Sequence, residues 1–285
     1  MRELSKKEQK WVGKVTKTLE LGGRSKATIH NYIHAINRFL KYHKEDTNFE
    51  SFTEDQIIDY IQREYIDKNL AGSTYNLNIC AIRFLYLVCF DKEFNRKKLP
   101  TVKLRKVIPT TIDKPTFIKI FNEEKNIKYK CWLLLGFCSG LRVEEIAQIK
   151  ISDINSKEHK LKVLGKRNKE RFTLLPDITI NYLRLYYKSG KFTKNNGYLF
   201  EGIAKREYTN SRYITNYFLI LRKQYNLPNN MSFHSLRHSF ATNFIKAGGD
   251  PFVLKSMLGH ASFSSTSIYI HMGRDFTNLN GVKYG

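Results

Sequence analysis

The 285-residue chain has no apolar run near the roughly 20 residues that a membrane span requires; its longest, CWLLLGFC and FLYLVCF, suit a folded core. No signal-type apolar segment follows the charged start MRELSKKEQK, so the sequence predicts a cytoplasmic, nucleoid-associated protein and no membrane partner. It has four cysteines and no C-x-x-C pair: Cys80, Cys89, Cys131 and Cys138 sit in apolar helical patterns and read as free thiols, not as disulfides or metal ligands. Internal repeats and low-complexity tracts are also missing. Acidic residues are few against the basic ones, with 26 Asp and Glu against 49 Lys and Arg and a formal charge of +23. A surplus that large repels itself in a compact state unless counter-charge is near, and the basic residues are interleaved with aromatics, so the expected partner is nucleic acid.

What is present reads mainly as α-helix with a small antiparallel β-sheet. SKATIHNYIHAINRFLKYH places Ile29, Ile33, Ile36 and Leu40 at helical spacing behind the N-cap candidate Ser25. Thr53 with Gln56 forms a capping box ahead of a stripe of Ile57, Ile58, Ile61 and Tyr65. The segment from Ser73 to Phe90 is apolar on enough sides to lie centrally in a bundle. Residues 1–95 are thus expected to form a helical DNA-binding domain. Residues 96–113 lose the helical period and read as a basic interdomain linker, whose Lys97, Lys98, Lys103, Arg105 and Lys106 would contact DNA phosphates. A second domain spans 114–275: Gly140 is placed as a left-handed stop after YKCWLLLGFCSG, KLKVLGKRNKERFTLLP reads as a hairpin, and helices follow near 178–188 and 211–224. Asp250-Pro251 restarts a helix after Gly248-Gly249, and a last helical segment is expected around Ser264–His271.

FHSLRHSFATNF joins an apolar stripe, Leu236, Phe240 and Phe244, to a flank of His234, Arg237 and His238. Two histidines at i and i+4 are half of a zinc site, but Ser235 stands where the metalloprotease pattern needs Glu and no third ligand is near, so no metal is expected. A phosphate site fits better, because an Arg fork matches two phosphate oxygens and a His both donates and transfers a proton. SGLRVEEIAQI adds Arg142, VLGKRNKER adds Lys166, and MLGHASFSSTSIYIH adds His260 and Tyr269. Together these residues suit attack of a tyrosine oxygen on a phosphodiester, with arginines neutralising the transition state and no cofactor required.

These four motifs, which run along the chain as SGLRVEEI, GKRNKER, HSLRHSFAT and LGHASFSSTSIYIH, resemble the tyrosine recombinases of the phage integrase family, most closely the Xer-like members. The resemblance covers about residues 110–275, and the first domain is similar by pattern to the family's SAM-like core-binding domain. It implies that Arg142 and Arg237 clamp the nonbridging oxygens of the scissile phosphate. Lys166 then protonates the leaving 5′ oxygen, His234 assists as general base, His260 hydrogen-bonds the phosphate and Tyr269 is the nucleophile. Glu145 falls at an acidic position that supports the site, the alternative being an exposed helix carboxylate, and His238 orients its neighbours. Arg167 and Ser139 stand where the family more often has a small residue and Thr. The resemblance further implies double-stranded DNA target sites, a homotetramer on two of them formed from free monomers, and a tail, 276–285, with Phe276, Leu279, Val282 and Tyr284 that docks on a neighbouring subunit. Two other functions share these features: a type IB topoisomerase, which reseals the original strand, and a catalytically inactive DNA-binding accessory protein.

Overall fold

In the computed structural model the described residues are 2–44, 47–104, 108–165, 170–190, 197–203 and 206–259. The chain divides into two compact units, Met1–Lys106 and Val107–Gly285. Both are dominated by helix, and the second carries the small sheet.

The first unit contains α1 (Lys6–Leu21), α2 (Lys26–Tyr42), α3 (Glu54–Ile61) and α4 (Gly72–Phe90). Side chains cap three of them: at the expected positions Ser25 accepts from the Thr28 amide and Thr53 with Gln56 closes α3, and on α1 Ser5 and Glu8 form a further capping box. α4 packs on both α1 and α2, and Ile79, Ala81, Ile82, Leu85 and Tyr86 are buried along it, as its all-round apolar pattern requires. The stripe on α3 differs from the sequence expectation. Ile58 is exposed and Tyr60 takes the inward place, because Ile57, Tyr60 and Ile61 fall on one face of α3; a π-turn at Gln62–Ile66 follows, and Tyr65 lies inside, where its hydroxyl donates to Asn78 Oδ1 at 2.6 Å. Arg2 pairs with the buried Glu8 and donates to the Leu40 and His43 carbonyls, tying the segment before α1 to the end of α2.

The segment expected to be a free linker is fixed over its first half. Leu99 is buried in the first core, the Arg83 guanidinium donates to its carbonyl, and the Asn76 amide exchanges two hydrogen bonds with the Val102 backbone. Lys97, Lys98 and Lys103 are exposed on this stretch; Arg105 and Lys106 lie outside the described residues.

The second unit runs α5 (Lys114–Glu123), α6 (Ile127–Phe137), α7 (Val143–Ala147), β1 (Ile154–Asn155), β2 (Lys160–Leu164), β3 (Glu170–Leu174), α8 (Asp177–Lys188), α9 (Ser211–Gln224), α10 (His234–Lys246) and α11 (Pro251–Leu258). The strands form an antiparallel sheet in the order β1-β2-β3; the hairpin β2–β3 was legible, whereas the two-residue β1 was not. Register pairs Leu161 with Thr173 and Val163 with Arg171 on the inner face. α6 is the core helix, sealed from Cys131 to Phe137, and of the four thiols only Cys131 is fully buried. Asp250 accepts from the Phe252 amide and caps α11, with Pro251 in its first turn.

Gly140 turns the chain after α6 with a left-handed φ of +67°, and its Cα faces the Phe240 ring so closely that any Cβ would collide with it. Gly140→Ala combines left-handed strain with overpacking and is expected to cost about 2–4 kcal/mol, read as a lowered denaturant midpoint at unchanged slope.

Candidate active site

The Gly140 turn delivers Arg142 to the start of α7. Its backbone N–H donates to Glu145 Oε2 at 2.9 Å and its Nη1 to Glu145 Oε1 at 2.8 Å. Glu145 is not an exposed helix carboxylate: its side chain is 6 % exposed and accepts from Arg171 Nη2 at 2.8 Å, with Arg237 Nη1 3.7 Å away. Burial alone would raise its pKa, but the Arg171 hydrogen bond and charge, the Arg142 amide and the Arg237 charge outweigh burial and hold the carboxyl below its usual value, ionised.

Arg237 lies on α10 and is 1 % exposed. Nη1 donates to the Gly140 carbonyl at 2.7 Å and Nη2 to the Leu258 carbonyl at 2.6 Å, so one guanidinium bridges the turn before α7 and the last residue of α11. Arg171, on β3, reaches the same helix end, donating Nε to the Met257 carbonyl at 2.6 Å. The carbonyls that end a helix carry its partial negative charge, which suits two cations there. Gly259, at φ +62°, closes α11 against the Arg171 side chain. Thr173 fastens β3 to the turn by donating to the Ser139 carbonyl at 2.8 Å.

Three guanidinium charges around one carboxylate leave a formal surplus of 3 − 1 = +2. Arg142, with 32 % of its side chain exposed, is the open member of the three. Such a set holds an oxyanion: the cations are positioned before the anion arrives, so little reorganisation accompanies charge build-up.

His234 opens α10 and keeps part of its surface in solvent; His238 sits one turn later, the rings 5.2 Å apart and edge to face. Loss of hydration, then the Arg237 and Arg142 charges, draw the His234 pKa below the usual value against an opposing pull from Glu145. Burial, then His234 and Arg237, bring His238 down to about 4. Both imidazoles are therefore neutral near pH 7, the form in which His234 can accept a proton. The acid limb of any rate that needs neutral His234 is expected below pH 6.5, checked by a pH–rate profile at saturating substrate. For His238 the folded pKa lies below the unfolded one, so its contribution to stability is complete above pH 6.5 and is lost as the pH falls from 6.5 to about 4, by at most about 3 kcal/mol. His238→Asn should flatten that slope in denaturation at pH 4.5 against pH 7.

Of the residues singled out in the sequence, the structure brings Arg142, Glu145, His234, Arg237 and His238 together. Lys166, His260 and Tyr269 lie outside the described residues, as do the segment Ser264–His271 and the tail. Arg171 was missed. Its signal is the alternation in ERFTL: Phe172 and Leu174 point outward, 56 % and 42 % exposed, so Arg171 and Thr173 face in. Its Nη1 is buried with no acceptor among the described residues. Among the described residues, no group of three His, Cys, Asp or Glu is placed to hold a metal, and no helix is long and apolar enough to cross a membrane.

The phage integrase family model matches residues 112–274, and a model for the phage integrase N-terminal SAM-like domain matches residues 11–96. Tyrosine recombinase XerA of Pyrococcus horikoshii is 30 % identical over 258 residues, covering 88 % of this chain and 85 % of that protein. Tyrosine recombinase XerD of Staphylococcus haemolyticus is 29 % identical over 274 residues, 88 % and 90 % of the two chains. Among solved structures, a lambda integrase dimer bound to a COC′ core site superposes with a TM-score of 0.74 at 19 % identity, covering 96 % of this chain and 99 % of that one. XerH bound to the palindromic difH substrate after cleavage gives 0.73 at 19 % identity, covering 87 % and 77 %.

Proposed function

The chain belongs to the phage integrase family, and on that footing we propose that it is a site-specific DNA recombinase of the Xer type, breaking and rejoining DNA strands through a 3′-phosphotyrosyl intermediate. The observation that carries the reading is the pair Arg142 and Arg237, preset around the ionised Glu145 beside the turn at Gly259. In sequence, that turn leads directly to His260 and on to Tyr269.

Arg142 and Arg237 bind the nonbridging oxygens of the scissile phosphate, and His260 adds a hydrogen bond to it. The Tyr269 oxygen attacks phosphorus while neutral His234 takes its proton. The bond from phosphorus to the 5′ oxygen breaks, and Lys166 supplies the proton that the leaving oxygen gains. Because one phosphodiester replaces another, the 5′ hydroxyl of a second strand can reverse the attack and complete exchange without ATP. His238 orients the His234 ring. Lys97, Lys98, Lys103, Arg105 and Lys106 contribute backbone contacts, and binding weakens steeply with salt as counterions are released. Four copies act on two double-stranded sites, with the 276–285 tail bridging neighbours, and the enzyme works on the nucleoid in the cytoplasm.

The test is to incubate the protein with fragmented source-genome DNA in chelator, denature it and sequence whatever stays attached, then mix two duplexes carrying the recovered site. Attachment at a defined sequence and a strand-exchanged product are expected. Resealing without exchange would indicate a topoisomerase, and tight, salt-sensitive binding with no attachment an inactive accessory protein.

A further inference from the structure

Arg171 is a buried cation that stability does not explain. Its side chain is 7 % exposed and Nη1 is buried with no acceptor among the described residues, although Glu145 is already paired with Arg142 and approached by Arg237. Replacing a whole buried ion pair by apolar side chains of similar volume is often neutral for stability, so the pairing by itself is weak evidence for a stabilising role. A position facing inward from β3, beside Leu161 and Val163 on β2, could hold such a side chain.

What the guanidinium does have is three neighbours that matter to the proposed chemistry. Nη2 holds the Glu145 oxygen that also accepts the Arg142 amide, Nε holds the Met257 carbonyl, and its aliphatic stem lies against Gly259. Nε and Nη2 are on one rigid plane, so the distance between Glu145 and the end of α11 is set by a single planar group. Arg237 makes a second, parallel connection from the same helix end to the Gly140 turn.

We propose that Arg171 is a positioning residue for strand cleavage: it fixes the end of α11, and with it the direction in which the chain departs toward His260 and Tyr269, against the carboxylate that holds Arg142. It acts through Glu145 and Met257, not on the phosphate. This rests on the recombinase reading above.

The experiment compares wild type, Arg171→Met and Arg171→Lys on a duplex carrying the recovered target site. Thermal midpoint, DNA affinity and the single-turnover rate of covalent attachment at saturating DNA are measured for each. Arg171→Met is expected to lower its midpoint, as Glu145 loses a donor and the Met257 carbonyl its partner, yet to stay folded at the assay temperature with DNA affinity within threefold, while attachment slows at least 50-fold. Arg171→Lys, one donor instead of a fork, should recover only part of that rate. In a double-mutant cycle, Glu145→Gln added to Arg171→Met should cost less than the product of the two single effects, since both break one connection. Attachment within threefold of wild type in Arg171→Met overturns the proposal. Loss of the fold in both variants, or a rate loss matched by lost DNA affinity, overturns it too, because Arg171 would then be a core residue or a DNA contact. If wild type itself forms no attachment, the recombinase reading fails instead.

Discussion

Tyr269→Phe is expected to abolish covalent attachment to DNA while leaving binding within about twofold of wild type. The change removes one oxygen and keeps the ring, so only the proposed nucleophilic atom is lost. Removing a nucleophile from a site whose other parts remain lowers rates by about four or more orders of magnitude, since water must then attack without being positioned. A 5′-labelled duplex nicked near the target site, run on a denaturing gel, reads the attachment, and a gel shift on the same duplex reads binding. Attachment that persists in the variant would assign the nucleophile to another of the chain's 17 tyrosines.

Arg237→Ala should damage both fold and chemistry. The side chain is fully buried and its two terminal nitrogens serve carbonyls on separate elements, Gly140 and Leu258. Truncation strands both acceptors, opens a void and withdraws one of the charges around Glu145. The expected cost is about 3–5 kcal/mol in denaturant unfolding. Arg237→Lys separates this loss from the catalytic one. An ammonium restores the charge but, as a single point, cannot reach both carbonyls and present a planar pair of donors to a phosphate. We expect it to regain part of the stability yet cleave at least about 100-fold more slowly than wild type at saturating DNA, the scale of losing one preorganised donor to a transition-state oxyanion. Wild-type cleavage by Arg237→Lys would confine Arg237 to a structural role.

The parts of this architecture that were legible are those fixed by neighbours in sequence. Ser25, the Thr53–Gln56 box and Asp250-Pro251 announce helix starts because a cap is made within three residues. The hairpin was readable from two β-leaning runs around a turn, but not the strand β1 beside it, whose two residues carry no period. Arg171 was illegible for a different reason: an inward arginine is tolerable only because Glu145 and Met257 meet it there, 26 and 86 residues away along the chain. The same distance effect decided Glu145, whose burial depends on arginines from two other elements. The stripe Leu236, Phe240 and Phe244 was correct as a pattern but serves two cores, Leu236 joining the large one and Phe240 the small cluster with Leu254 and Leu258. In the first unit Tyr60, not Ile58, shares the inward face of α3 with Ile57 and Ile61, a choice that a run of apolar residues does not decide by itself.

The bonds that α11 accepts at its end also set a schedule. Gly140 and Arg237 are 97 positions apart, Arg171 and Met257 86, and Arg237 and Leu258 21. Contacts so distant along the chain close late, after local helices and the hairpin have formed. A ribosome must therefore have released the chain well past residue 258 before the arginines acquire their final geometry. A nascent fragment that ends before Met257 carries Arg142 and Glu145 without the α11 carbonyls that Arg171 and Arg237 hold. Assembly of the site is thereby tied to closure of the second unit as a whole, not to the formation of any one of its helices.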